Sequence, residues 1–310
     1  MNFLSTVEVF IETGLVFSII AMGYYVSYYI LDFPDLTVEG TFLSGAVVFG
    51  LMVSFGLNPW FAIICAFIAG CIFGCVTGIL HVCLKIRPLL CGILVSTGLI
   101  TVNLIAVSAG LTGKFDGSGN TSISYGRTVN TLHDYFFGDA VPAKINNTIN
   151  LRDLLIFLLI VIACKVLLDL YFKSKNGLLL RAAGNNGQFV KMLGVDPGKS
   201  KITGLALGNG LAAVSGALYS HISGNVNQSM GIGMIVIGLA SLIIGMSLFT
   251  KVKFMKPTTK VILGAIIYQA CLTLAQKIGV PSAYNKLIMA VMFTVALVLS
   301  SKMKGGSKIA

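Results

Sequence analysis

Between residues 14 and 31 the chain carries no charged side chain, and further apolar runs follow at about 41–55, 61–84, 89–110, 154–172, 202–223, 231–249, 261–276 and 287–300. A helix needs about 20 apolar residues to cross the hydrocarbon core of a bilayer. The pattern therefore predicts an all-α, polytopic membrane protein with about nine spans, built as one transmembrane domain over residues 1–310. The chain is 56% hydrophobic and only 11% charged, a balance that a soluble domain of this length does not show.

The charges test this topology. Lys85, Arg87, Lys173, Lys175, Arg181, Lys191, Lys199, Lys201, Lys251, Lys253, Lys256, Lys260, Lys302, Lys304 and Lys308 fall on one side of a nine-span arrangement. Lys114, Arg127, Lys144, Arg152, Lys277 and Lys286 fall on the other. Cytoplasmic loops carry the excess of Lys and Arg, so the N-terminus is expected outside and the C-terminus inside. The formal net charge of +11 is then a matter of topology, and nucleic acid is not an expected partner. No Lys or Arg precedes Lys85, so the first run lacks the basic flank of a cleaved signal peptide and is expected to stay as a span.

Two interruptions stand out. The first, residues 32–40, contains Asp32, Pro34, Asp35, Thr37, Glu39 and Gly40. A charge at mid-bilayer costs at least about 2.5 kcal/mol, and non-helical backbone there needs protein or water partners. The segment is either an acidic turn at the membrane surface or a broken helix lining a pathway. The second, residues 173–201, is basic and rich in small residues, and it is expected on the cytoplasmic side. Within it, residues 181–195 read as one short amphipathic helix between loops. Residues 111–150 form the one large loop, polar and expected outside.

Other features are read as structural. Cys71 and Cys75 share a helix face, but with no nearby His or acid they fit packing better than a metal site. His81, His133 and His221 are far apart in sequence. Gly198-Lys199-Ser200 imitates part of a phosphate-binding loop, yet position 193, where that loop needs glycine, is Leu. Nucleotide binding by this chain is not expected. Gly70, Gly74 and Gly78 make a small-residue stripe that suits close helix packing, as do Gly208, Gly210 and Gly216 with Ala212, Ala213 and Ser215. Lys165 and Asp169, four residues apart, are expected to pair within the fifth span.

Arg181-Ala182-Ala183-Gly184-Asn185-Asn186, then Leu193-Gly194-Val195, the lysines 199 and 201, and the run from Gly208-Asn209-Gly210 to Gly216-Ala217-Leu218 resemble the signature region of bacterial ABC-importer permeases of the branched-chain amino acid and ribose type. Asp35-Leu36-Thr37-Val38-Glu39-Gly40 is similar to the interrupted-helix motif of the same family. It is nearest to the form in permeases for amino acids such as tryptophan or tyrosine. The resemblance implies a coupling helix at 181–195 carried by Arg181, Ala182, Ala183, Gly184, Asn185, Gly187 and Gly194, and a pathway or broken helix at Asp32, Asp35, Thr37, Glu39 and Gly40. It further implies a second copy of the chain, an ATPase subunit that binds ATP and Mg, and an extracytoplasmic solute-binding protein. The chain would catalyse nothing and hold no metal or cofactor of its own. Its place would be the bacterial cell membrane, where it would move a small polar solute by ATP-driven alternating access. An ion-coupled transporter or channel using Asp35 and Glu39 is the alternative reading. An intramembrane enzyme is disfavoured because the spans offer no paired nucleophile and base.

Overall fold

The structure, a computed structural model, describes residues 3–112, 122–124, 132, 151–250, 252, 254–277 and 284–305. Helix α1 (Phe3–Tyr24) passes into one stretch of π-helix (Tyr25–Ile30), and the chain then breaks before α2 (Thr37–Ser54). Two long helices follow, α3 (Pro59–Val82) and α4 (Pro88–Thr112). After the polar loop come α5 (Leu151–Lys173), two short helices, α6 (Lys175–Asn185) and α7 (Gly187–Met192), and the long α8 (Pro197–Ser223). A 3-10 turn (Gln228–Gly231) leads into α9 (Met234–Leu248), α10 (Pro257–Lys277) and α11 (Asn285–Gly305). The small exception to an all-α fold is an antiparallel pair, β1 (Ser122–Ser124) with β2 (Asn225–Asn227), in which Ile123 lies opposite Val226.

Among the described residues, eight helical segments are long and apolar enough to cross a membrane. The ninth expected span corresponds to α11, whose described apolar part, Leu287–Val298, is shorter. The helix ends follow local chemistry. Asn58 accepts the Trp60 N–H at 2.9 Å with Pro59 behind it, which starts α3. Asp196 accepts the Gly198 N–H at 2.9 Å with Pro197 in the first turn, so α8 begins five residues earlier than its apolar run suggests. Gly198-Lys199-Ser200 is simply the first turn of this helix.

The bundle is centred on α1, α2 and α8, the most buried spans, while α3, α4 and α5 turn apolar faces outward. That contrast is what lipid requires: Ile64, Ile68, Ile72 and Ile79 on α3 are more than two-fifths exposed, and exposed isoleucine is stable in hydrocarbon. The centre is held by close backbone approach. Gly70 and Gly74 of α3 lie against the main chain of Asn209 and Leu205 on α8, and Gly78 lies against Ile202. On the other side of α8, Gly208 meets Gly23 of α1, and Gly216 meets Phe42 of α2. Gly210 faces Cys71 and Phe67 of α3. The α3 stripe thus packs on α8 at Gly210 and Ala213, while Gly208 and Gly216 of the second stripe admit α1 and α2, close approaches of the kind that give dispersion between helices in a membrane its strength.

Lys165 and Asp169 pair at 3.3 Å as expected, but the pair is part of a larger junction. Asp169 also meets Lys256 at 3.0 Å and accepts the Thr258 hydroxyl at 2.8 Å, which ties α5 to the start of α10.

Candidate functional site

The acidic interruption is shorter than the sequence suggests. Residues 31–36 are non-helical, but Thr37, Glu39 and Gly40 belong to the first turn of α2 and correct the expectation of a break over 32–40. The reason is Asp35, whose Oδ1 accepts the Thr37 N–H at 2.9 Å and supplies the partner that a new helix start lacks.

Asp35 is 1% exposed and does a second job with its other oxygen. Asn209 of α8 donates from Nδ2 to Asp35 Oδ2 at 2.6 Å, and the Thr41 hydroxyl donates to Asn209 Oδ1 at 2.9 Å. Thr37 and Thr77 of α3 share a hydrogen bond at 2.9 Å, and the Tyr24 hydroxyl donates to the Asp35 carbonyl at 3.4 Å. The buried carboxylate is thereby satisfied by neutral donors from two elements, α2 and α8, the arrangement a low-dielectric interior demands. Asn209 lies eight residues beyond Lys201 along α8, about 12 Å at helical rise.

The acids do not converge. Glu39 points the other way, and its Oε1 accepts the Gly233 N–H at 2.8 Å. Gly233 holds φ at 94°, a left-handed backbone that stops α9 from extending backwards, so the seventh run becomes a helix of 15 residues. Such a helix spans about 22 Å, short of the roughly 30 Å hydrocarbon core. The 3-10 turn that leads into it is held against mid-length α4, because Gln228 donates to the Ile100 carbonyl at 3.0 Å. Asn103 of α4 donates to the Gly40 carbonyl at 3.3 Å, and Gly40 itself lies against Leu99 and Ser96. Two helices, α2 and α9, therefore begin inside the bundle and are fastened to each other by Glu39. Asp32 stands apart from all of this, exposed, with φ at 53°.

Asn209, Thr77, Asn103 and Gly233 were not singled out by the sequence. The signal was present for Asn209, a lone amide among Gly, Ala and Leu in a membrane span, since such a side chain must find a partner.

The basic segment is two helices and not one. Asn186, at φ −153° and ψ 94°, leaves the helix and accepts the N–H groups of Gln188 and Phe189 at 3.1 and 3.2 Å, which ends α6 and starts α7. Arg181 sits 4.7 Å over the Phe172 ring. Ala182 is half-buried, Ala183 is buried, and Asn185 is exposed at the end of α6. Gly184 packs on the carbonyl of Ile30, and Leu180 is fully buried. Gly187 opens α7, and Gly194, at φ 74°, turns the chain toward α8. Phe189, Met192 and Leu193 are 52, 83 and 57% exposed on this short element outside the spans. A groove of about 480 Å³ lies beside them between Asn185, Gln188, Lys191 and Lys201. His81 is structural: its Nδ1 lies 2.9 Å from the Ile86 carbonyl and its ring packs on Phe33. His133 lies outside the described residues.

Helices that start inside a bundle, fastened by buried polar side chains, together with an amphipathic pair outside the spans, define a membrane transport permease. Residues 7–297 match the family described as the permease component of branched-chain amino acid transport systems, and the chain belongs to that family. It is 38% identical over 278 residues to a tyrosine transport system permease protein of Clostridioides difficile (strain R20291), covering 90% of this chain and 85% of that one. It is also 30% identical over 301 residues to an uncharacterized protein of Rickettsia prowazekii (strain Madrid E), covering 96% of this chain and 97% of that one. No solved structure gives a significant match. The chain is thus a permease component of a transport system, not its catalytic subunit.

Proposed function

We propose that the chain imports an amino acid with an aromatic side chain, as the membrane half of an ABC importer in the bacterial cell membrane. Two copies of the chain would enclose the pathway, an extracytoplasmic binding protein would deliver the solute, and a cytoplasmic ATPase holding ATP and Mg would drive the cycle. The N-terminus would lie outside and the C-terminus in the cytoplasm. The observation that carries the coupling step is the exposed set Phe189, Met192 and Leu193, because apolar side chains of that size outside the spans suit a protein partner. Movement there has a short route inward: α7 joins α6, and Gly184 of α6 rests on the end of the π-helix at Ile30. From Ile30 the chain leads within five residues to Asp35 and its bond to α8.

The test is uptake of L-tyrosine by vesicles containing the permease, its ATPase and its binding protein. Uptake that requires ATP and all three components is expected, and a cysteine at Gln188 should cross-link to the ATPase. Uptake that persists without the ATPase under an ion gradient would instead select the ion-coupled alternative at Asp35 and Glu39.

A further inference from the structure

A second cavity, of about 540 Å³, lies where the π-helix meets α6 and is lined by Tyr25, Tyr29, Ile30, Asp32, Arg181, Gly184 and Asn185. Its volume falls within the roughly 300–1,000 Å³ that small-molecule sites occupy. Its chemistry is unusual for a surface hollow. Arg181 and Asp32 are both exposed, and neither forms a salt bridge among the described residues. The Arg181 guanidinium is already held over the Phe172 ring, so its fork is presented with little freedom left to lose. Tyr25 and Tyr29 stack with ring centroids 5.5 Å apart and planes at 21°, and Tyr29 is 50% exposed. A cation, a carboxylate and an open aromatic face therefore line one hollow.

We propose that this cavity binds a zwitterionic amino acid with an aromatic side chain. Arg181 takes the carboxylate in a charge-assisted pair, Asp32 takes the ammonium, and the ligand ring lies on Tyr29. The site is separate from the buried network at Asp35, and it faces the side of the membrane where the basic loops lie. Its ligand chemistry rests on the proposed solute, so the site would sense the imported product. An occupant would join Arg181 of the coupling segment to Asp32 of the break, two elements whose relative movement the transport cycle needs.

The experiment is calorimetric titration of the assembled permease–ATPase complex, without binding protein, with L-tyrosine, tyramine and 3-(4-hydroxyphenyl)propionate. L-Tyrosine is expected to bind, and the analogues lacking the carboxylate or the ammonium should bind about tenfold or more weakly, the loss of one charged hydrogen bond. Asp32→Asn should weaken L-tyrosine binding to the same degree, and Asn tolerates the left-handed backbone found there. Tyr29→Ala should weaken binding yet leave ATP-driven uptake intact, which separates this cavity from the translocation pathway. Absence of binding, binding unchanged in both variants, or binding by the free permease that vanishes when the ATPase is added would each overturn the proposal. Uptake by the same preparation separates the two ideas. A complex that transports an aromatic amino acid but binds none here refutes the cavity alone, whereas one that transports none refutes the reading beneath it.

Discussion

Replacing Asn209 by Ala tests the buried network most directly. Asn209 Nδ2 is the donor to Asp35 Oδ2, at 2.6 Å, and both side chains are essentially unexposed. A hydrogen bond to a charged group contributes about 1.5–3 kcal/mol, and a buried carboxylate oxygen left without it bears the full penalty. Thr41 is not orphaned by the change, because its hydroxyl also reaches the Val38 carbonyl at 3.2 Å. The higher helix propensity of Ala returns about 0.5 kcal/mol. The expected net loss is about 2–3 kcal/mol. In an Asp35→Asn background the same change should cost only about 1 kcal/mol, since the partner is now neutral and can keep its bond from the Thr37 N–H. The double-mutant cycle, read by reversible unfolding in mixed micelles, should therefore show a coupling of about 1.5 kcal/mol. A coupling below about 0.5 kcal/mol would refute the claim that Asp35 is held by Asn209.

Gly45→Ala should abolish folded yield, because its Cβ would overlap the Ala213 main chain, whereas Gly98→Ala, with open space around it, should stabilise α4 by about 0.5–1 kcal/mol; equal thermal midpoints would refute the packing of α2 on α8. Asp169→Asn should cost about 1 kcal/mol, because Asn keeps an acceptor for the buried Thr258 hydroxyl and loses only the partly exposed lysine pairs. Asp169→Ala should cost about 2 kcal/mol, because that hydroxyl then has no acceptor, and denaturant midpoints will separate the two. Gly210→Leu should prevent assembly, since even a Cβ there comes within 2.6 Å of Cys71 Sγ; a normal yield of purified complex would place that face against lipid.

Spans were legible because hydrophobicity summed over some twenty residues is a strong, local signal. Their ends were less so, because single side chains set them. Asp196 started α8 early and Asn186 split the coupling segment, and each acts by offering one oxygen to backbone N–H groups that hydropathy does not register. The partners of the acidic motif were beyond local reading altogether. Asp35 and Asn209 are separated by 174 positions and Glu39 and Gly233 by 194, so only the close approach permitted by the glycine stripes brings them together. Burial of Asp35 could be argued from the cost of a lone charge in lipid, but its donor could not.

The same geometry explains why one motif holds two neighbouring acids with different duties. Asp35 precedes α2 and faces α8, so its two oxygens start a helix and fasten that start to the bundle centre. Glu39 lies one turn further on, and its carboxylate meets the N–H of Gly233, the residue that caps a second helix that also begins inside the protein. Both carboxylates thus sit at helix N-termini, where unpaired N–H groups and the helix dipole favour negative charge. An acid at such a point needs no cation to be stable at depth. Neither carboxylate contacts a Lys or Arg among the described residues, which leaves the two broken helices joined by hydrogen bonds that can part and reform as the bundle moves. Removing the charge at Glu39 by Glu39→Gln keeps an acceptor for Gly233 and should be tolerated, whereas Glu39→Leu frees the start of α9. A cysteine at Met234, buried in the first turn of α9, should then react in the Leu variant with a small thiol reagent about tenfold faster than in the Gln variant, as expected for losing roughly 1.4 kcal/mol of closure. Equal rates would show that α9 is held in place by packing alone.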